Sequence, residues 1–111
     1  MDDEAIIEMF EPEGRVTIKR MFGGKGVYVD GVIVALEVDG RLLLKADAAT
    51  IPAFEAAGSE RWVYEDKSGR RSKMPYWTLP DEALDDDEAR ARWASLAVVA
   101  GRRTAKAAPR D

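Results

Sequence analysis

The chain has 111 residues, 46% hydrophobic and 34% charged, which suits one domain with its own core and argues against wholesale disorder. It contains no Cys and no His, so disulfides, thiolate sites, imidazole metal ligands and Ser-His or Cys-His nucleophile pairs are excluded. A formal net charge of -4 sets the global field against a phosphate backbone and disfavours an unaided grip on nucleic acid.

The opening Met1-Asp2-Asp3-Glu4 is acidic where a signal peptide would be basic, and no apolar run is long enough to span a bilayer. A cytoplasmic protein with no membrane association is the expectation. Asp3 is placed to cap a short first helix whose apolar face is Ile6, Ile7, Met9 and Phe10, and Pro12 and Gly14 end it.

From Val16 to Ala46 the pattern turns to strands. Asp30-Gly31 and Asp39-Gly40 are hairpin-turn dipeptides, because their residues tolerate the positive φ that two-residue turns need. They predict a three-stranded meander through Val27–Val29, Val32–Val38 and Arg41–Lys45, with Thr17–Phe22 as a possible extra strand. Strict alternation puts Val32, Val34, Leu36 and Val38 on one face and Ile33, Ala35 and Glu37 on the other.

Thr50 then caps a short helix with Pro52 in its first turn, Phe54 as its anchor and Gly58 past its end. Trp62–Tyr64 and Met74–Leu79 predict a second hairpin with a long polar tip over Glu65–Lys73. Pro75 cannot donate to a ladder, which assigns its strand to an edge or a strand start. Asp85 and Glu88 have capping-box spacing ahead of a final helix with Ala89, Trp93, Leu96, Ala97 and Ala100 on one side. That stripe reads as core, although its small residues would also admit a partner helix, so a homodimer stays open. Residues 101–111, with Arg102, Arg103, Lys106 and Arg110, read as a frayed or disordered basic tail. The sum is a single domain over 1–111: an α+β two-layer sandwich in the order α-β(3)-α-β(2)-α, with an antiparallel sheet.

Three segments invite a functional reading. Gly23-Gly24-Lys25-Gly26 has the glycines of a phosphate loop, but strand residues Val27-Tyr28-Val29 follow where a helix N-terminus would be needed. It reads as a backbone turn. Asp85-Asp86-Asp87-Glu88 lacks the alternation and central glycine of a calcium loop and suits a helix start. Lys67, Arg70, Arg71 and Lys73 beside Trp62, Tyr64, Tyr76 and Trp77 have the makings of a hairpin that grips phosphates and stacks bases. No catalytic residue, cofactor or metal site is assigned.

Arg20-Met21-Phe22-Gly23-Gly24, then Gly26, Tyr28 and Asp30-Gly31, resembles the N-terminal domain of the TfoX/Sxy family of competence regulators. The match continues through Gly40, Leu42, Leu44, Lys45, Asp47, Phe54, Gly58, Tyr64, Tyr76-Trp77-Thr78-Leu79-Pro80 and Trp93. The resemblance implies a fold similar to secretion chaperones and a bacterial regulatory role in transcriptional control through protein contacts, with no catalytic residues. It also implies a stand-alone domain that lacks the second, C-terminal domain of full-length competence regulators. A non-enzymatic adaptor with an unknown protein partner is the leading expectation. The alternatives are a nucleic-acid module using Lys67, Arg70, Arg71, Lys73 and the C-terminal cations, or a small-molecule sensor or enzyme. The latter would use a pocket near Arg20, Lys25, Tyr76 and Trp77.

Overall fold

A computed structural model describes residues 1–21 and 23–107. Its first helix, α1 (Asp3–Phe10), is capped one residue earlier than the sequence suggests: the Asp2 carboxylate accepts from Ala5 N at 2.9 Å. Asp3 instead lies in the first turn, where its charge suits the helix dipole. Ile6, Met9 and Phe10 are buried, and a 3-10 turn over Glu11–Glu13 leads into the sheet.

Six antiparallel strands follow: β1 (Val16–Met21), β2 (Gly24–Val29), β3 (Val32–Val38), β4 (Arg41–Lys45), β5 (Arg61–Glu65) and β6 (Arg71–Thr78). They lie in the order β1-β2-β3-β4-β6-β5. The meander therefore has four strands where the predicted order had three, because the segment before the glycines pairs fully with β2. Both Asp-Gly turns form as expected, with φ of 49° and 82° at Asp30 and Gly31 and 52° and 78° at Asp39 and Gly40.

The strict alternation expected for β3 fails at one point. Val27 pairs with Ala35 but Tyr28 pairs with Ile33, so Val34 is an extra residue and β3 carries a bulge. Val32, Val34 and Ala35 consequently pack into the main core, while Ile33, Leu36 and Val38 face the other side. Leu36 and Val38 thus leave the face they were assigned to share with Val32 and Val34.

Strand β6 is interior and begins at Arg71, which corrects the assignment of Pro75 to an edge or a strand start. The proline is tolerated because β4 has ended there: Ala46 N donates to Pro75 O, and only residues beyond the proline, Tyr76–Thr78, pair with β4. On its other side β6 bulges opposite Trp62, and Arg61 Nε takes up the Met74 carbonyl at 2.9 Å. The predicted long tip over Glu65–Lys73 is a short turn. The Asp66 carboxylate accepts from Ser68 N, Ser68 Oγ and Arg70 N, and the Ser68 hydroxyl is the first of the bonds that hold its carboxyl below the usual range.

Helix α2 (Ile51–Ala56) carries Phe54 into the core between Trp77 and Trp93, with ring centroids 6.1 and 4.7 Å away. Thr50 occupies the cap position, yet its hydroxyl bonds to Asp47 and not to the helix amides. A short α3 (Glu82–Asp85) precedes α4 (Asp87–Ala107). The cap of α4 is Asp86, whose carboxylate accepts from Glu88 N and Ala89 N; the predicted Asp85–Glu88 box does not form, since Ala89 is the residue three after the cap. Among the described residues no helix is long and apolar enough to cross a membrane.

The final helix does not fray at Gly101. It continues through Ala107, and Arg102 and Arg103 tie it to Asp30 and Asp47; Arg110 and the rest of 108–111 lie outside the described residues. The alanine stripe reads correctly as core, with Ala89, Trp93, Ala94, Ala97, Val98, Ala100 and Gly101 all buried. Gly101 sits directly on the β3 bulge: a Cβ there would lie 2.7 Å from the Ile33 carbonyl oxygen and 3.2 Å from a Val34 methyl.

Two outcomes are expected. Gly101→Ala should lower stability by about 1–2 kcal/mol through overpacking, against the roughly 1 kcal/mol such a change gains in an unpacked helix. Urea denaturation checks the sign, and a more stable variant contradicts this packing. Asp47 provides the second test. Arg103 donates to it through two nitrogens at 2.7 and 3.1 Å, and this bond is the chief cause that holds its carboxyl below the ordinary 3.8. The stabilisation is complete above the unfolded value and is lost as pH falls through the lower folded one. Since Arg103 is half exposed, Arg103→Met should lower stability only slightly at neutral pH. The difference in midpoint should be full above pH 3.8 and should shrink as the melts are taken further below it.

Candidate functional site

All the helices pack on one face of the sheet, against Val27, Val29, Val34, Leu42, Leu44 and Trp77. The opposite face carries a second apolar cluster of Leu36, Leu43 and Tyr76, with Met21, Ile33, Val38, Trp62 and Met74 packed against it. No helix covers it among the described residues. A groove of about 660 Å³ opens there, lined by residues of β1, β2, β3, β5 and β6. Trp62 meets Tyr64 and Tyr76 edge-on, at centroid distances of 6.0 and 6.5 Å. Tyr64 is 50% exposed. Three aromatic side chains and two methionines on one open face form a surface that binds by area and shape.

The pocket expected around Arg20, Lys25, Tyr76 and Trp77 is not assembled. Arg20 is exposed on edge strand β1, four strand spacings or roughly 19 Å from β6. Trp77 faces the helix layer, is 7% exposed and packs on Phe54, and its Nε1–H has no acceptor among the described residues. Tyr76 faces the open side, because neighbours on a strand point oppositely. Lys25 and Tyr76 do both border the groove, and Arg20 and Lys25 share a shallow depression with Glu37 at the sheet's edge.

Lys25 is already matched. Its ammonium lies 2.6 Å from Asp3 and 3.7 Å from Glu37, and the Asp3 hydrogen bond is the main reason its pKa is raised. The glycines around it are structural, as the sequence reading held. Gly23 has φ +77° in the β1–β2 turn, and a Cβ on Gly24 would collide with the Glu37 carbonyl oxygen. Phe22, within the same motif, lies outside the described residues.

The hairpin cations are separated from the aromatics. Val63 pairs with Lys73, Tyr64 with Ser72 and Glu65 with Arg71. Alternation therefore sends Arg71 and Lys73 to the face opposite Trp62 and Tyr64, while Lys67 and Arg70 sit at the turn. A stacking platform flanked by phosphate contacts needs both on one face.

One residue of this face was not singled out as a site: Lys45. It is only 7% exposed, lies directly opposite Tyr76 in the ladder and holds its ammonium 4.9 Å from the centre of that ring. Burial lowers its pKa. No carboxylate lies within ion-pair distance of it among the described residues. The alternation Leu42, Leu43, Leu44, Lys45 carries the signal, since it places Lys45 beside Leu43. Burial pushes the Tyr76 phenol up to about 12, with Tyr28 adding to the shift, so the hydroxyl remains a donor across the physiological range. Lys19 lies over Tyr28 in the same way, 5.0 Å from the ring centre.

Comparison with known proteins bears on the whole of this architecture. No curated protein matches the chain. The sequence profile of the TfoX N-terminal domain matches residues 8–100, a span that runs from α1 into α4 and includes every strand. The chain belongs to the TfoX N-terminal domain family.

Proposed function

We propose that this protein is a non-enzymatic regulatory or adaptor domain that acts through protein–protein contacts in transcriptional control. The observation that carries the reading is the uncovered sheet face, where Trp62, Tyr64, Met74 and Tyr76 form one aromatic and thioether surface beside the free edge of β5. Interfaces draw their affinity from such rigid aromatic anchors, and an unpaired edge strand adds backbone groups that a partner can pair with. Family membership supports the regulatory part, since the family is named for competence regulators. The absence of His and Cys supports a role without catalysis.

Affinity capture from a native bacterial lysate tests this. The wild type should recover a specific transcription-related partner. The double variant Trp62→Ser, Tyr64→Ser should bind it at least about 30-fold more weakly, the loss of a hot spot. Circular dichroism checks that the variant is folded. Recovery of no specific partner, or equal recovery by a folded variant, contradicts the proposal.

A further inference from the structure

A lysine that loses most of its hydration without gaining a carboxylate is held at a cost. Lys45 is in that position: 7% exposed, resting on the ring of Tyr76, and unmatched by any acid among the described residues. The cation–π contact offsets part of the lost hydration, and the ammonium has no protein hydrogen-bond acceptor among the described residues. Tyr76 is also a wall of the groove, so the lysine and the apolar trough meet at one shared side chain.

We propose that Lys45, with Tyr76 against it, receives the carboxylate of a ligand whose apolar body lies in the groove over Leu36, Met74 and Trp62. A single buried cation matches a single negative charge, so a carboxylate fits and a dianionic phosphate leaves a surplus. The Tyr76 phenol supplies a neutral O–H donor, which adds a hydrogen bond for a carboxylate without adding charge. The far end of the groove fixes the direction of binding. It is bordered by Asp39, which ends the run after Val38, and Asp39 would repel an anionic head. Strand β4 runs the distance between the two ends, five residues or roughly 13 Å between its first and last Cα. That length accommodates an extended alkyl chain or an aryl group. This site does not depend on the protein-contact reading, and either can fail alone.

The test uses the intact chain with decanoate and its uncharged analogue decanol, followed by tryptophan fluorescence and by amide chemical shifts of Leu43–Lys45 and Met74–Trp77. The wild type should bind decanoate saturably and about ten- to a hundredfold more tightly than decanol, the worth of one charge-assisted hydrogen bond. Lys45→Met keeps the side chain's length and removes its charge. It should reduce decanoate to the decanol level while leaving decanol affinity unchanged, and the retained decanol binding shows that the variant is folded. Tyr76→Phe should give a smaller loss, confined to decanoate. Absence of saturable decanoate binding, equal affinity for the two probes, or an undiminished preference in Lys45→Met overturns the proposal.

Discussion

The contact between Gly101 and the bulge in β3 governs how this molecule divides its two faces. A sheet residue can serve the core or the open side, and a bulge is the local device that switches the assignment partway along a strand. Here Val34 and Ala35 both pack toward the helices, and α4 approaches them closely because residue 101 has no side chain. Past that point Leu36 and Val38 point away from the helices and build the floor of the groove. Without the phase change, the second half of β3 would spend its apolar residues on the core already supplied by α1 and α4.

The same division explains which surface groups are available for binding. Charges on the helix side and the rims are largely consumed within the fold: Lys25 by Asp3 and Glu37, Arg102 by Asp30, Arg103 by Asp47. These pairs fasten α1 and the end of α4 to the sheet and its loops. The open face is different in kind. It is apolar and aromatic, with Lys45 set into it and no acid near enough to neutralise that charge among the described residues. A face of this composition binds by shape and burial, with one electrostatic fixed point.

Much of the fold was legible in the sequence. The Asp-Gly dipeptides located both β-turns because few other pairs accept two consecutive positive φ values, and the alanine stripe identified the buried side of α4. The glycines after Arg20 were recognised as backbone residues because no helix follows them. What could not be read depended on tertiary packing. Nothing in Val32–Leu36 marks a bulge, since each of those apolar residues suits either face, and the strict alternation therefore misplaces Leu36 and Val38. Caps at Asp2 and Asp86 were each missed by one position, because adjacent acids offer equivalent local signals. The candidate pocket failed for a simpler reason. Tyr76 and Trp77 are adjacent in sequence, and in a strand that alone puts them on opposite faces. Lys45 was visible in the alternation of β4, but its isolation from acids is a three-dimensional fact.

The most direct check of this account is an NMR measurement of which rings the Leu36 methyls approach. Nuclear Overhauser contacts from Leu36 to Tyr76 and Trp62, together with contacts from Val34 to α4 beside Gly101, are the predicted pattern. Contacts from Leu36 to Trp93 or Val98 would contradict it, for they would place Leu36 in the main core and leave the open face without its groove.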